Sequence, residues 1–316
     1  MASDDYTAAR EGAALARLDG RGVLEVSGPT RQKFLQGMLS NDVAGLGPGQ
    51  GCPAALLAAK GGVLALLRVL VEKDKVLLET PPERLELVQR TLEHYRVAAP
   101  VRFAVRKAAV LAVLGPKTDD VLRAAGADPV PSEPEAHGPA SVGGHAARLV
   151  RAGDLPLPGI VLHAAEDEAA AVGDALEARG ARRIGSGTMD ALRVEAMRPW
   201  YGADVTEDNL LHETGLLAEC HSPTKGCYVG QEVVARLEGR GGNVNKTLRG
   251  LRLAAPASPG DAVSAEGREI GWITTAAVSP RLGWIALAYV HRSHLAAGTA
   301  VAVGGAPATV VTSFAG

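Results

Sequence analysis

Apolar and polar positions in the first third of the chain follow two spacings, which predict a mixture of strands and helices. Continuous or alternating apolar runs predict strands, and apolar residues three and four positions apart predict helices. The clearest helical face carries Leu85, Val88, Leu92 and Tyr95. The predicted order is strand 23–27, helix 30–40, hairpin 53–71, strand 76–80, helix 83–97 and strand 101–105. This is the order of a split β-α-β module.

The next part of the chain repeats this architecture without repeating the sequence. Strands are predicted at 109–114, 147–150 and 160–163, and helices at 118–125 and 166–179. Residues 128–144 contain four prolines, so this segment is predicted to be an exposed loop. A second α+β module follows from this pattern.

The last part of the chain alternates short apolar stretches with Gly and Pro turns. Strands are predicted at 248–253, 269–276, 284–290 and 300–303. The predicted fold class is therefore α+β, with two split β-α-β modules followed by a small C-terminal β-barrel. The predicted domains are 1–106 and 107–245 for the modules, and 246–316 for the barrel.

Composition predicts a soluble cytoplasmic protein. The 33 basic and 35 acidic residues leave a net charge of -2, which provides no overall field for nucleic acid or an anionic membrane. Three cysteines without a CxxC pair favour a reducing compartment. The first residues contain no secretory signal, and Lys60 and Arg68 interrupt the apolar stretch 54–71. We therefore expect neither a membrane span nor a direct nucleic-acid partner.

The octapeptide KGCYVGQE places a lone thiol, Cys227, between Lys225 and a predicted helix at 230–238. A nearby cation and the free N–H groups of a helix N-terminus both favour the thiolate, which is the nucleophilic and metal-binding form. The alternative is that Cys227 is a small buried hydrophobe. Cys220 and His221 lie close in sequence, but their spacing from Cys227 matches no zinc pattern, and no metal site is predicted.

This octapeptide resembles the signature of the YgfZ-type folate-binding proteins, which are relatives of the glycine-cleavage T-protein (aminomethyltransferase). Four further segments resemble patterns of the same family, in family order: 31–46 (RQKFLQGMLSNDVAGL), 59–62 (AKGG), 191–204 (ALRVEAMRPWYGAD) and 244–253 (VNKTLRGLRL). The resemblance implies two modules and a barrel around a central folate pocket, with tetrahydrofolate or a derivative as cofactor.

The resemblance also implies binding residues. Glu195, on a helix for which Thr188 is the predicted cap, falls where the T-protein contacts the pterin; without the resemblance, it reads as a solvated helix residue. Trp200 and Tyr201 are expected either to wall the pocket or to be ordinary core aromatics. Arg236 is expected either to bind the anionic folate tail or to lie on a solvated helix face.

Two features depart from the family pattern. Ala65 and Leu66 stand where the T-protein carries an acidic pair, so its general acid-base role has no obvious occupant here. Met189 and Arg21 stand near the positions where some relatives carry folate-binding aromatic rings. Whether the protein is an enzyme is left open by these residues.

Three functions remain. The resemblance implies a tetrahydrofolate-dependent accessory factor in iron–sulfur protein maturation or repair, with an indirect effect on tRNA modification. Its partners would be iron–sulfur client proteins or the assembly machinery, and Cys227 beside Lys225 would carry the chemistry. The alternatives are an aminomethyl transferase, which Ala65 and Leu66 disfavour, and a folate-binding scaffold without chemistry, which Cys227 disfavours.

Overall fold

Helices cover the faces of sheets in a computed structural model that describes residues 2–314. Residues 1, 315 and 316, at the ends of the predicted first and third domains, lie outside the described residues. The helices are α1 Ala2–Glu11, α2 Arg31–Gln36, α3 Pro82–Arg96, α4 Thr118–Ala124, α5 Ala169–Glu177, α6 Ser186–Glu195, α7 Leu217–Cys220 and α8 Gln231–Glu238.

Strands make up more of the fold than helices do. In the N-terminal two thirds they are β1 Ala13–Arg17, β2 Gly22–Ser27, β3 Gly51–Leu57, β4 Val63–Val71, β5 Lys75–Thr80, β6 Arg102–Arg106, β7 Ala108–Leu114, β8 His137–Val142, β9 His145–Arg151, β10 Gly159–Ala165 and β11 Ala181–Arg183. In the C-terminal part they are β12 Lys246–Leu253, β13 Ala262–Ala265, β14 Arg268–Ser279, β15 Gly283–His291, β16 Ala300–Val303 and β17 Ala306–Val311.

The first sheet has the strand order β3-β4-β5-β2-β6, with every neighbouring pair antiparallel. Helices α2 and α3 cover it. Leu85, Val88 and Leu92 of α3 are buried against the sheet, as their spacing predicts. The predicted hairpin at 53–71 is confirmed as β3 and β4.

The second sheet has the order β11-β1-β7-β10-β9-β8, and α4 and α5 pack on one face of it. Strand β1 precedes the whole first sheet in sequence, yet it lies between β11 and β7 of the second. The prediction of a loop at 128–144 is wrong for β8. Because β8 is an edge strand paired only with β9, Pro139 needs to donate no hydrogen bond on the outer side.

The C-terminal strands close into a barrel of order β12-β15-β14-β13-β16-β17. Its interior is filled by small and branched side chains such as Ala286, Ala288, Val290 and Val310. The four predicted strands are present, and the short β13 and β17 complete the closure. The predicted α+β class with a C-terminal barrel is thus confirmed.

Helix α6 connects the modules to the barrel. Arg193, buried on α6, donates to Asp204 at 2.6 Å and to Thr275 of β14 at 2.8 Å. The helix begins at Ser186 after an extended Gly185, so Thr188 lies inside the helix, buried, and is not its cap. Within residues 2–314, no helix has both the length and the apolar character needed to cross a bilayer.

Candidate functional site

A cavity of about 610 Å³ lies between the two sheets and α6. Its lining comes from the segment after β1, from β4 and the end of β5, from α6, and from the segments 198–201 and 216–220. All of these residues precede the barrel. The volume falls within the range of about 300–1,000 Å³ typical of small-molecule sites.

One wall of the cavity is a network of two guanidiniums and three carboxylates, in which Arg68, Glu79 and Glu135 are buried and the other two members are half-buried. Arg68 on β4 donates to Glu79 at 2.5 Å, to Glu135 at 3.0 Å and to Asp154. Arg21 donates to Glu79 and to Asp154, at 2.5 Å each. Since Arg68 and Glu79 belong to the first sheet, and Glu135 and Asp154 flank strands of the second, the network joins the two sheets.

The charged groups of this network shift one another's pKa values. Burial alone would raise the pKa of Glu79, but Arg68 and Arg21 hold that pKa well below its ordinary value. Arg21 and Arg68 also lower the pKa of Asp154, which burial alone would raise. At Glu135 burial has the largest effect and raises the pKa, although Arg68 and the Gly153 N–H act to lower it. The two guanidiniums therefore favour the carboxylate forms of Glu79 and Asp154, whereas burial favours the neutral form of Glu135.

Sequence reasoning missed the functional potential of this wall. A signal was present, since Arg68 interrupts the apolar strand β4 and Glu79 stands in the apolar strand β5. A charge within a buried strand usually has a buried partner. The partner of Arg68 could not be named, because Asp154 and Glu135 follow it by 86 and 67 residues.

Two predicted binding residues, Trp200 and Tyr201, line the cavity. The Arg193 guanidinium lies 4.8 Å from the centre of the Trp200 ring. Tyr201 donates its hydroxyl to the Val63 carbonyl at 3.0 Å, and burial raises the pKa of Tyr201 to about 12. The neutral phenol is thereby held in place, and the half-buried Trp200 provides an apolar surface.

Positions that depart from the family pattern also surround this space. Arg21, Met189 and Leu66 line the cavity. Ala65, the neighbour of Leu66, is fully buried in the core of the first sheet. Leu66 thus presents an apolar side chain to the cavity where the resemblance implies an acid.

Glu195 lies outside the cavity that it was predicted to line. Its carboxylate accepts hydrogen bonds from Tyr6 at 2.8 and 2.9 Å, from Ser279 at 2.5 Å and from Arg281 at 3.3 Å. The acid of α6 that lines the cavity is Asp190 instead. Five residues along a helix correspond to a rotation of about 140°, which turns Glu195 towards α1 and the barrel.

The signature octapeptide lies outside the cavity lining as well. Lys225 donates to the carbonyls of Gln36 at 2.7 Å, of Asn41 at 3.1 Å and of Leu39. These carbonyls lie at and just beyond the C-terminus of α2, where a cation is favoured. Burial lowers the pKa of Lys225 to about 8. The ammonium thus anchors the signature segment to the first module.

Cys227 is exposed, four residues before the start of α8. The predicted helix is confirmed, and Arg236 is exposed on it, away from the cavity lining. Cys220 does line the cavity, and burial raises the pKa of its thiol. Burial also raises the pKa of Cys52, to about 12. Of the described thiols, Cys227 is exposed, Cys52 is half-buried and Cys220 is buried.

Comparison with known proteins relates this architecture to one family. Residues 1–222 match the GCVT N-terminal domain, and residues 246–314 match the glycine cleavage T-protein C-terminal barrel domain. The aminomethyltransferase of Mycobacterium bovis is 30% identical over 88% of this chain and 77% of its own length. A putative chloroplastic transferase of Arabidopsis thaliana is 25% identical over 93% of this chain and 68% of its own.

A solved structure shows the same fold. The crystal structure of the glycine cleavage system aminomethyltransferase T from Bartonella henselae superposes with a TM-score of 0.86. The superposition covers 98% of this chain and 88% of that one, at 21% sequence identity. With both domain models matched in order, the chain belongs to the glycine-cleavage T-protein (GCVT) family.

Proposed function

We propose that the protein binds tetrahydrofolate or a derivative in the cavity and acts as an accessory factor in the maturation or repair of iron–sulfur proteins. The observation that carries this proposal is that the cavity and the exposed thiol of the signature segment are separate. The cavity presents Leu66 where the transferases are expected to have an acid, and an exposed thiol, Cys227, stands outside it in the signature segment. An effect on tRNA modification would be indirect, through iron–sulfur enzymes.

The cavity has the chemistry that a reduced pterin requires. The polar groups of a reduced pterin lie at the edges of its ring system, and the faces can pack against Trp200, Met189 and Leu66. Its pyrimidine edge presents adjacent N–H donors, which suit a carboxylate acceptor. Asp154 and Asp190 each line the cavity with side chains 38% exposed, and each is oriented by an arginine. These two residues are our candidates for the acceptor.

Cys227 would supply the chemistry directed at a client protein. In its thiolate form Cys227 would bind an iron atom of the client's cluster in place of a ligand that leaves this iron, with no change of oxidation state. Exposure of Cys227 suits contact with a protein that is too large to enter the cavity. Lys225 would act by positioning, because its hydrogen bonds are made to carbonyls of the first module.

Complementation of a deletion strain tests this function. We expect the wild-type gene to restore the activity of iron–sulfur enzymes and Cys227→Ser to fail, since a serine hydroxyl does not form its anion near neutral pH. Cys52→Ser is the matched control, because burial keeps that thiol protonated. Full restoration by Cys227→Ser would assign a structural role to Cys227 and favour a folate-binding scaffold.

Aminomethyl transfer is the second candidate, and the names of the relatives favour it. The aminomethyltransferase of Bacillus subtilis is 28% identical over 95% of this chain. We expect no appreciable release of ammonia when the purified protein is given tetrahydrofolate and an aminomethylated lipoyl carrier, because Ala65 and Leu66 cannot exchange a proton. Turnover of about 1 per second or faster, ordinary for enzymes, would establish the transferase instead.

A further inference from the structure

The residues that line the cavity carry an excess of negative charge. They include seven carboxylates and four guanidiniums, which leaves a formal charge of -3. The acids are Asp19, Glu79, Glu83, Glu135, Asp154, Asp190 and Glu219. The bases are Arg17, Arg21, Arg68 and Arg198. This imbalance is local, since the chain as a whole carries a net charge of only -2.

All four lining guanidiniums already have carboxylate partners. Arg21 and Arg68 are held in the network that joins the two sheets. At the more exposed part of the lining, Arg17 donates to Asp19 at 2.6 Å and to Glu166 at 2.5 Å. Arg198 donates to Glu219 at 2.6 Å. The charge of each guanidinium is therefore already offset by a carboxylate before a ligand anion approaches it.

The exposed part of the lining carries more acids than bases. The Asp19 side chain is 77% exposed and that of Glu219 is 42% exposed, while the Arg17 side chain is 45% exposed and that of Arg198 is 28% exposed. Glu83 is exposed as well. At the exposed part of the lining, the carboxylates of Asp19, Glu83 and Glu219 thus outnumber the guanidiniums of Arg17 and Arg198, so the rim disfavours anions.

Bases just outside the lining do not reverse this balance. Arg193 pairs with Asp190 of the lining at 2.7 Å, but its charge is shared with the buried Asp204 at 2.6 Å. Arg84 packs on the Tyr201 ring and lies 3.8 Å from Glu207. Arg281 is hydrogen-bonded to Glu195. Arg236 is exposed on α8, outside the cavity lining.

We infer that the cavity selects tetrahydrofolates with a short glutamate tail and disfavours polyglutamylated forms. This inference rests on the proposed folate binding and concerns the form of the ligand. The pterin donates N–H groups and is matched to an acidic wall, whereas each added glutamate contributes one more carboxylate near an acidic rim. The ligand class is thus a monoglutamyl or tail-less tetrahydropterin.

Calorimetric titration of the full chain with monoglutamyl and pentaglutamyl tetrahydrofolate, at low and at high salt, tests the inference. We expect the pentaglutamate to bind about two- to fivefold more weakly at low salt, as for interactions among exposed charges. The difference should shrink at high salt because ions screen the repulsion. Tighter binding of the pentaglutamate, weakened by salt, would overturn the inference.

A charge variant localises the effect. Glu219→Gln removes one rim carboxylate and frees Arg198, so it should improve pentaglutamate affinity relative to monoglutamate affinity. Glu269→Gln, exposed on β14 of the barrel, makes the same change in net charge and should leave that ratio unchanged. Equal ratios in the two variants would contradict a role for the rim. Binding of neither folate by the wild-type protein would overturn the proposed function itself, and this inference with it.

Discussion

At the scale of single residues, position on a helix decides what Glu195 does. The resemblance assigns it to the pterin, but its carboxylate accepts from Tyr6 and Ser279 at a junction of α1, α6 and the barrel. Asp190, on the same helix, lines the cavity. A buried carboxylate that already accepts hydrogen bonds from several buried donors has a structural role.

We therefore expect Glu195→Ala to affect stability and not ligand affinity. The substitution leaves the Tyr6 and Ser279 hydroxyls without this acceptor, at a cost of about 1–3 kcal/mol in the free energy of unfolding. Chemical denaturation measures this loss, and calorimetry with tetrahydrofolate measures affinity. Glu195→Gln, which keeps one acceptor oxygen, should be closer to wild type. A tenfold loss of affinity at unchanged stability would place Glu195 in contact with the ligand.

At the scale of elements, Lys225 fastens the signature segment to the end of α2. Its ammonium satisfies carbonyls of Gln36, Leu39 and Asn41 and lies 4.7 Å from the centre of the Tyr228 ring. Carbonyls near a helix C-terminus lack intrahelical partners, so a donor there has a structural function. The contact sets the position of the segment that carries Cys227.

The pKa of Lys225 gives this contact a pH dependence with a definite sign. Burial lowers the pKa in the folded protein to about 8, while the unfolded chain keeps a value of about 10.4. Between these values the unfolded state binds more protons, so the free energy of unfolding rises with pH. Relative to Lys225→Met, which lacks the titrating group, wild-type stability should increase from pH 8 to pH 10. A decrease across that window would contradict this assignment.

At the scale of the whole molecule, one buried acid holds the barrel to the modules. Asp204 accepts from Arg193 of α6 at 2.6 Å, and from Thr274 and Thr275 of the barrel at 2.6 and 2.7 Å. It also accepts from the backbone N–H of Trp200 at 2.9 Å. The same residue therefore positions a cavity wall and a domain interface.

Loss of this acid should destabilise the entire fold. Asp204→Ala leaves the Arg193 guanidinium buried without its main partner, and breaking such a pair costs about 3–5 kcal/mol. We expect a lower Tm and a lower midpoint in denaturant. Asp208→Asn, an exposed acid four residues later, is the control and should remain within about 0.5 kcal/mol of wild type. A wild-type Tm for Asp204→Ala would show that the interface does not depend on this network.

The sequence alone determined the local elements and the family landmarks. Periods of 3.6 and 2 residues, which depend on near neighbours, predict helix α3, the paired strands β3 and β4, the helix after the signature and four of the six barrel strands. For Trp200 and Tyr201 the sequence leaves open a place in the pocket wall or in the core, and both line the cavity.

Only the tertiary structure decided which distant residues meet. Strand β1 joins the second sheet, Arg68 meets Asp154 across 86 residues, and Lys225 meets Gln36 across 189. The rotation of α6 about its own axis places Asp190, and not Glu195, at the cavity. These partners depend on the path of the whole chain, because a buried charge is stabilised by whichever opposite charge the fold brings near it, regardless of separation in sequence.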